Sequence, residues 1–328
     1  MNRLGIDVGG TFIKGGIVSK DGDILFTTKV PTFDNNEKIS VIDNLFNLIM
    51  SLINKNKEIS KENISFIGLG IPGIVNRKKG IAEFSGNLSW NNVPILDLLK
   101  QRGITIPMQM CNDSRAACIG EMMFGAGKEY KNSVVMTIGT GIGAGIVING
   151  KLFEGNEDKG GEIGHSLLVM DGTSCTCGRN GCFEAYASAK ALVRYTKEQM
   201  KLDPKSIMWK HVNNDINRVD GSLAFECSKL NDASADVVIS KYIKYLGEGL
   251  LNICNCFRPE SIIIGGGISE QGEYLFEKLN SYIKEKNYGY KCTPPVVIIK
   301  AKLGNSAGLI GAAFINQFLN GYKDENIV

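Results

Sequence analysis

Short apolar runs that end in glycines or polar residues alternate with longer amphipathic stretches along most of the chain. The first run starts at Leu4 and ends near Asp7, and a second returns from Phe12 after two glycines, which predicts a β-hairpin. Residues 133–148 repeat this order of strand, Gly/Thr-rich turn and strand, which indicates an internal repeat. Further strands are predicted over residues 24–30, 64–70, 107–111, 261–264 and 295–301.

Helical spacing of apolar residues is typical of the stretches between these strands. Helices are predicted over residues 37–57, 94–102, 114–124, 185–201, 237–257 and 272–286, and a helix of small residues follows Leu303. Residues 86–90 are predicted to form a polar loop, and residues 202–236 are predicted to be polar and irregular. The alternation of strands and helices predicts an α/β protein, and residues 125–131 form a candidate boundary between two domains.

The composition argues against several classes of protein. The 328 residues suit two domains, and a hydrophobic content of 43% is enough for substantial cores. A formal net charge of +3 gives no reason to expect a nucleic-acid or membrane partner, and no apolar stretch reaches the ~20 residues of a membrane span. The nine cysteines fit a reducing compartment, and the early apolar run leaves no room for a secretion signal, so a cytoplasmic location is expected.

A set of soft metal ligands lies within residues 161–184, in the stretches G-E-I-G-H and C-T-C-G-R-N-G-C-F-E. One imidazole and three thiolates, from His165, Cys175, Cys177 and Cys182, make a closed four-ligand set suited to structural Zn²⁺. The cysteines could instead be small buried hydrophobes, but a C-x-C disulfide is strained. A nucleic-acid-binding zinc ribbon is disfavoured because a second C-x-x-C half and a basic cluster are missing.

Two carboxylates flank this metal loop, and a third follows a strand. Glu162 and Glu184 are poor additional zinc ligands beside four softer ones, so we interpret them as acceptors for a ligand rich in hydroxyls. Asp113 lies where a predicted strand ends and a helix begins. It could serve only as the helix N-cap, or it could be a general base that accepts a proton from an attacking hydroxyl.

The first hairpin turn has the composition of a phosphate-binding turn. Gly9 and Gly10 let backbone N–H groups approach an anion, and Thr11 adds a hydroxyl donor. Asp7, at the strand end, could hold Mg²⁺ through water, and Lys14 is either a further ligand of the nucleotide or a surface residue. A plain tight hairpin would also explain this turn.

Two further glycine-containing loops follow predicted strands. Thr140 and Gly141, in the repeated turn, are candidates for phosphate contact. The triple glycine Gly265, Gly266 and Gly267 would let a flat ring lie against bare backbone. A strand and not a helix follows the first of these loops, which argues against a dinucleotide-binding fold.

These motifs, in this order, resemble the ROK family, which groups sugar kinases with sugar-responsive repressors. The resemblance extends from Leu4 to about Phe318. It implies an actin-like ATPase (sugar kinase) fold, with two α/β domains around a cleft and a structural zinc loop over residues 161–184. The N-terminal domain would comprise residues 1–124 plus about 302–328, and the larger C-terminal domain residues 125–301.

The resemblance also implies an activity, the ATP-dependent phosphorylation of a hexose, with glucose converted to glucose 6-phosphate as in bacterial ROK glucokinases. Mg²⁺ would accompany ATP, and Zn²⁺ would be structural. Asp113 would be the general base, and the triple-glycine loop would line the adenine and ribose pocket. Together with Asp113, the residues implied to bind the sugar are Asn87, Asn112, Glu162, His165 and Glu184.

The chain departs from the family pattern at one point, because Ser114 and Arg115 replace the usual residues after N-D; Arg115 is expected to change the helix surface. Other sugars, including N-acetylmannosamine and N-acetylglucosamine, would suit the same polar set. A sugar-sensing regulator or a sugar-binding protein without turnover are alternatives of other classes. Only six residues precede Asp7, so we expect no DNA-binding module. A homodimer is expected, with no nucleic-acid or membrane partner.

Overall fold

The computed structural model of the protein describes residues 1–33, 38–60, 62–284, 286–289 and 291–321. The predicted helix start at residue 37, residue 285 of another predicted helix and residues 322–328 of the predicted N-terminal domain lie outside these ranges. No helix in the described ranges is both long enough and apolar enough to cross a bilayer.

The described residues form strands in nearly all the regions where the hydrophobic pattern predicts them. The strands are β1 (Asn2–Val8), β2 (Phe12–Val18), β3 (Ile24–Pro31), β4 (Ile64–Ile71), β5 (Ile74–Asn76), β6 (Ile81–Ser85), β7 (Trp90–Val93), β8 (Met108–Asn112), β9 (Ser133–Ile138), β10 (Ile142–Ile148), β11 (Lys151–Leu152), β12 (Ser261–Gly265) and β13 (Val297–Lys300).

The helices are numbered in chain order, as the strands are. They are α1 (Lys38–Ile59), α2 (Ile95–Gln101), α3 (Asp113–Phe124), α4 (Glu184–Ala187), α5 (Ala189–Leu202), α6 (Met208–His211), α7 (Leu223–Lys229), α8 (Ala233–Phe257), α9 (Glu273–Lys284), α10 (Ala307–Ala313) and α11 (Ile315–Leu319).

The chain divides into two compact units that interleave along the sequence. The first unit contains Met1–Lys131, Gly145–Gly161 and Lys302–Val328, and the second contains Asn132–Ala144 and Glu162–Ala301. The division falls within β10. The two functional domains implied by the family resemblance, with their bounds, stay a prediction.

Two five-stranded sheets have the same order of strand types, which confirms the internal repeat. The first sheet runs β3-β2-β1-β4-β8, and the second runs β11-β10-β9-β12-β13. In the first, β1 pairs antiparallel with β2 and parallel with β4, which pairs parallel with β8. In the second, β12 pairs parallel with both β9 and β13. The carboxyl ends of the parallel strands therefore lie along one edge of each sheet, where the predicted turns are.

The first sheet is covered on one side by a large apolar cluster. The buried residues Leu45, Leu48 and Leu52 of α1 belong to the same cluster as Ile13 and Ile17 of β2. Helix α1 packs on β2 and β3. The apolar positions spaced by three and four residues along residues 37–57 thus form the buried face of a helix, as the pattern predicts.

Helix α10 packs at backbone distance against α3, β1 and β4, which explains its composition of small residues. A β-carbon on Gly311 would fall on the carbonyl oxygen of Ala116, and one on Gly68 would fall on that of Ala312. Glycine is required at these two positions because the elements approach so closely that no side chain fits.

Two parts of the chain contain more regular structure than the sequence pattern predicts. Strands β5, β6 and β7 form a small antiparallel sheet, whereas the pattern indicates only a loop at residues 86–90 nearby. The segment 202–236 is not irregular throughout, because it contains α6, α7 and the first turn of α8. Phe225 of α7 is fully buried, so this segment contributes to the core of the second unit.

The helix predicted over residues 185–201 is interrupted at Ser188. This residue has extended backbone and caps α5, because its hydroxyl oxygen accepts a hydrogen bond from Ala191 N–H at 3.3 Å. The neighbouring N–H of Ala189 donates to the carbonyl oxygen of Gly139 at 2.8 Å. The interruption thus places a helix start beside the turn that follows β9.

Candidate functional site

The turn between β1 and β2 has a half-buried carboxylate at its base. Asp7 lies directly opposite Lys14 in the antiparallel register. Burial raises the pKa of Asp7, and the positive charge of Lys14 opposes part of that rise. Lys14 is therefore next to the candidate Mg²⁺ ligand and is partly buried. The turn closes with a hydrogen bond from Gly9 N–H to the carbonyl oxygen of Phe12 at 3.0 Å, and Gly10 and Thr11 are exposed.

The junction of β8 and α3 gives Asn112 and Asp113 different tasks. Asn112 is the helix N-cap, since its Oδ1 accepts hydrogen bonds from the N–H groups of Ser114 (3.0 Å) and Arg115 (3.3 Å). Its Nδ2 donates to the carbonyl oxygen of Gly73 at 3.0 Å. Asp113 is the first residue of α3, half-buried, and its Oδ1 accepts from Ser114 N–H at 2.8 Å. The capping task considered for Asp113 is thus performed by Asn112.

The register of the first sheet brings these two regions to the same edge. Asp7 pairs with Gly70 across β1 and β4, and Gly70 pairs with Cys111 across β4 and β8. Asp113 follows two residues later. At the usual strand spacing, Asp7 and the end of β8 are about 10 Å apart.

Asn87 lies near the same edge of the first unit. Its Cβ would be 3.7 Å from a β-carbon built on Gly10. Asn87 is exposed, whereas the adjacent Leu88 and nearby Trp90 are buried, so these apolar side chains hold the loop in place and leave the amide accessible. The first unit therefore brings together the predicted phosphate turn, the candidate base and two of the predicted sugar ligands.

In the second unit, the four predicted metal ligands converge. The ligand atoms of His165, Cys175, Cys177 and Cys182 lie within 4.8 Å of one another. The Sγ atoms of Cys177 and Cys182 are 3.6 Å apart, as are Sγ of Cys175 and Nδ1 of His165. Two thiolates on one tetrahedral Zn²⁺ would be about 3.8 Å apart, and a thiolate and an imidazole nitrogen about 3.6 Å. The separations thus fit a shared zinc ion and exceed a disulfide bond.

Local backbone pairing brings these ligands together. Cys175 N–H donates to the carbonyl oxygen of Arg179 at 2.8 Å, and Gly178, at φ 89°, turns the chain between them. Phe183 N–H donates to the carbonyl oxygen of Ser166 at 2.8 Å, which pairs the segments that contain Cys182 and His165. The pKa of the Cys177 thiol is lowered, chiefly by a hydrogen bond with the backbone of Arg179, which favours the thiolate that a metal ion needs.

Glu184 links the metal loop to the turn that follows β9. Its Oε2 accepts a hydrogen bond from Ile142 N–H at 2.9 Å, and its Oε1 accepts one from the Thr176 hydroxyl at 3.2 Å. A side chain on Gly141 would collide with this carboxylate. The structure therefore puts one predicted sugar ligand in contact with the second predicted phosphate turn, a link that no local pattern indicates.

Glu162 is exposed and immediately precedes the short 3-10 turn Ile163–His165, with its carbonyl oxygen accepting from His165 N–H at 3.0 Å. Gly164, in the same turn, lies so close to the carbonyl oxygen of Ile142 that a β-carbon there would collide with it. The G-E-I-G-H segment is therefore packed against the start of β10.

The triple-glycine loop begins at the end of β12. Gly266 has φ 82° and lies against the backbone of Ile138, where a β-carbon would collide with the carbonyl oxygen. Gly266 and Gly267 are exposed, and Gly265 pairs with Thr137 of β9. The loop thus lies beside the β9–β10 turn at the carboxyl edge of the second sheet.

The expectation that Arg115 changes the helix surface is wrong, because its side chain is buried. Only 5% of the residue is exposed, and its guanidinium donates to the carbonyl oxygens of Asp158 at 2.7 Å and Gly160 at 2.6 Å. The sequence does not indicate these partners, because they lie more than forty positions away. The only signal is the departure from the usual residues after N-D.

Comparisons with known proteins show which family the chain resembles. The sequence profile of the ROK family matches residues 3–317. The glucokinase of Thermotoga maritima is 35% identical over 322 residues, which cover 96% of this chain and 97% of that protein. The xylose repressor of Bacillus subtilis is 28% identical over 319 residues, which cover 97% of this chain and 78% of the repressor.

A solved structure extends the likeness to three dimensions. The ROK family glucokinase from Streptomyces griseus, in complex with glucose and AMPPNP, superposes with a TM-score of 0.83 at 31% identity, covering 97% of this chain and 99% of that one. Since the family match spans nearly the whole chain and the repeated sheets agree with the fold, this protein belongs to the ROK family and has its actin-like ATPase fold.

Proposed function

We propose that this protein transfers the γ-phosphoryl group of ATP to a hexose, and that the hexose is glucose. The observation that carries this proposal is the edge of the first sheet, where Asp113 follows β8 and Asp7 precedes a glycine turn two strands away. Membership of the ROK family and similarity to glucokinases support the choice of reaction and sugar.

In the proposed reaction, the carboxylate of Asp113 accepts the proton of the attacking sugar hydroxyl. The hydroxyl oxygen bonds to the γ-phosphorus as the bond to the β-γ bridging oxygen breaks, which yields sugar phosphate and ADP. Asn112 caps the first turn of α3 and so fixes the backbone on which Asp113 lies. Little covalent chemistry is required of the protein, and most of the rate enhancement comes from position and charge.

The phosphate groups of ATP are assigned to the two repeated turns. The first turn offers the backbone N–H of Gly10 and the hydroxyl of Thr11, both in exposed residues. Gly9 would line the phosphate as part of the turn, since its N–H is donated to the carbonyl oxygen of Phe12. Asp7 would hold Mg²⁺, which neutralises phosphate charge when bound, and Lys14 adds a positive charge beside it. Thr140 and Gly141 would contact phosphate from the second unit, and the triple-glycine loop, in which Gly266 and Gly267 are exposed, would accept the adenosine.

Sugar hydroxyls are assigned to Asn87, Asn112, Glu162, His165 and Glu184, together with Asp113. The geometry restricts what some of these groups can offer. Both acceptor positions of Asn112 Oδ1 are engaged by the helix cap, and one Nδ2 hydrogen is donated to Gly73, so Asn112 can give a sugar at most one N–H donor. Glu184 already accepts from Ile142 and Thr176, so a sugar hydroxyl would share its carboxylate with the phosphate turn.

The cluster of one histidine and three cysteines is assigned to structural Zn²⁺. Four protein ligands close the coordination sphere, which suits a structural ion and leaves no position for substrate. When bound, the ion would fix the loop that precedes Glu184 and orient the imidazole of His165.

The test is a coupled ADP-release assay with Mg-ATP against glucose, other hexoses and N-acetylhexosamines, run on the wild type and on Asp113→Asn. Wild type should turn over glucose best, and Asp113→Asn should lose on the order of 10²- to 10⁴-fold in kcat while still binding sugar by calorimetry. Asp97→Asn, an exposed carboxylate on α2, is the matched control and should keep full activity.

Each other result has a defined meaning. Preference for an acetylated sugar would keep the mechanism and change the substrate. Sugar binding without turnover on any sugar would favour a sensor, in line with the similarity to xylose repressors, and would overturn the proposed activity. Retention of kcat in Asp113→Asn would place the base elsewhere.

A further inference from the structure

Arg115 is a buried cation whose side-chain hydrogen bonds go to the main chain of a distant loop. Its Nη1 donates to the carbonyl oxygen of Asp158 at 2.7 Å and its Nη2 to that of Gly160 at 2.6 Å. A guanidinium is costly to bury and presents its donors in a fixed fork, so two short bonds from one group specify the positions of both carbonyls.

The loop that it contacts has an unusual backbone. Four residues within 155–161 have positive φ, and two of them, Glu157 at 52° and Asp158 at 61°, are not glycines. Left-handed conformations are unfavourable for such residues and persist where the surroundings impose them. The shape of this loop is therefore set by its contacts more than by local preference.

Other cations hold the same loop through its side chains. Arg77 forms a bidentate pair with Glu154 at 3.0 and 3.1 Å, and Lys159 reaches Glu83 of β6 at 2.8 Å. These contacts hold the loop at its start, Glu154, and near its end, Lys159. Arg115 acts on its last residues, by way of backbone atoms, just before Gly161 leads the chain into Glu162.

Arg115 is also fixed at its own backbone. Its N–H donates to Oδ1 of Asn112, and it lies two residues after Asp113 in the first turn of α3. The same helical turn therefore contains the candidate base, its cap and the cation that holds the loop leading to Glu162.

We propose that Arg115 is a positioning residue for sugar binding: it fixes the end of the 154–160 loop to the first turn of α3, and so sets where Glu162 begins. This inference rests on the proposed kinase function and deepens it. Loss of the guanidinium should release the loop end, misplace Glu162 and weaken sugar binding, while the phosphate turns stay unaffected.

The test compares Arg115→Met with Arg3→Met. Arg3 is a half-buried arginine of the first unit whose guanidinium donates to the main-chain carbonyl of Ala313 at 3.2 Å and to Oδ1 of Asn316 at 2.7 Å, partners that lie outside the 154–160 loop. Arg115→Met should raise the KM for sugar on the order of 10- to 100-fold, with the KM for ATP unchanged within about threefold. Arg3→Met should lower the melting temperature and leave both KM values unchanged.

A second readout does not depend on turnover. Amide hydrogen exchange in the 154–161 peptide should be faster in Arg115→Met than in wild type, and unchanged in Arg3→Met. Arg115→Lys should recover part of the sugar KM, since an ammonium group donates to a carbonyl without the fork. If Arg115→Met does not fold, the sugar KM of Arg115→Lys relative to Arg3→Lys decides the question.

Failure of this inference differs from failure of the proposed function. Absent turnover in wild type would remove the kinase proposal. An active wild type with an unchanged sugar KM in Arg115→Met, or equal rises in Arg115→Met and Arg3→Met, would reduce Arg115 to a stabilising contact and overturn the positioning role.

Discussion

The strongest stability prediction concerns Glu121, a carboxylate on α3 of which only 1% is exposed. Its Oε2 accepts hydrogen bonds from the N–H groups of Ala126 at 2.8 Å and Lys302 at 3.0 Å, and its Oε1 accepts one from Leu303 N–H at 2.7 Å. One side chain thus holds both the segment that leaves α3 and the segment that leads into α10. Removing it should destabilise the first unit.

The magnitude follows from the number and type of these bonds. Hydrogen bonds to a charged acceptor contribute about 1.5–3 kcal/mol each to stability. Water can reach the partly buried N–H groups once the side chain is gone, which offsets part of the loss. We therefore expect Glu121→Ala to lower the free energy of unfolding by about 3 kcal/mol in total. Glu121→Gln can keep the two bonds at one oxygen, whereas its amide group would face the third N–H. We therefore expect Glu121→Gln to lower the free energy of unfolding by about 2 kcal/mol.

The assay is urea unfolding followed by tryptophan fluorescence. The chain has two tryptophans, and Trp90 is fully buried in the first unit. In a Trp209→Phe background, Trp90 alone reports on that unit. The control is Glu58→Ala, because Glu58 is an exposed carboxylate paired with Lys55 one turn away and should contribute less than about 0.5 kcal/mol.

Two results would refute this reasoning. A loss below about 1 kcal/mol in Glu121→Ala would mean that water replaces the carboxylate at little cost. A loss in Glu121→Gln close to zero, with a large loss in Glu121→Ala, would mean that packing and not hydrogen bonding decides the outcome at Glu121, because glutamine keeps the volume of glutamate.

Two further predictions concern the proposed ligand sites. Because burial raises the pKa of Asp7 in the folded state, protonation there stabilises the fold fully below about pH 4, and this contribution is lost as the pH rises through the raised value. Asp7→Asn should therefore be more stable than wild type near neutral pH, show little gain in stability in acid, and lose phosphoryl transfer. Urea titrations in acid and near neutral pH check the stability change, and an equal gain under both conditions would contradict it. Cys177→Ser should lose its bound metal, as measured by elemental analysis, melt at a lower temperature and lose activity. Cys256→Ser, at an exposed thiol on α8, should keep the metal content, melting temperature and activity of the wild type. A metal-free Cys177→Ser protein with full activity would remove the structural role of the ion.

Much of the fold follows from patterns that are local in the chain. The glycine turn after Asp7, the amphipathic period of α1 and the C-x-C segment each depend on residues close together in sequence, so the pattern is sufficient to predict them. The internal repeat can also be recognised in the sequence alone, because both copies have the same order of strand and turn. The four candidate metal ligands lie close together, since backbone pairing over a short segment brings them together.

The elements that the pattern misses are those whose signals are too short or too mixed. Strands β5, β6 and β7 have three to five residues each, and Phe84 on β6 is exposed, so alternation is weak there. Helix α7 lies in a polar segment, and its burial depends on packing against α8. In both cases the neighbouring elements supply the stabilisation that local preference lacks.

The division of tasks among the site residues is decided by tertiary structure. Only the fold shows that Asn112 and not Asp113 caps α3, that Glu184 binds the backbone of the β9–β10 turn, and that Arg115 is buried against a distant loop. Periodicity and motif spacing describe which face a side chain is on and which chemistry it has. They do not determine the distance between residues forty positions apart, because that distance depends on how the sheets and helices pack.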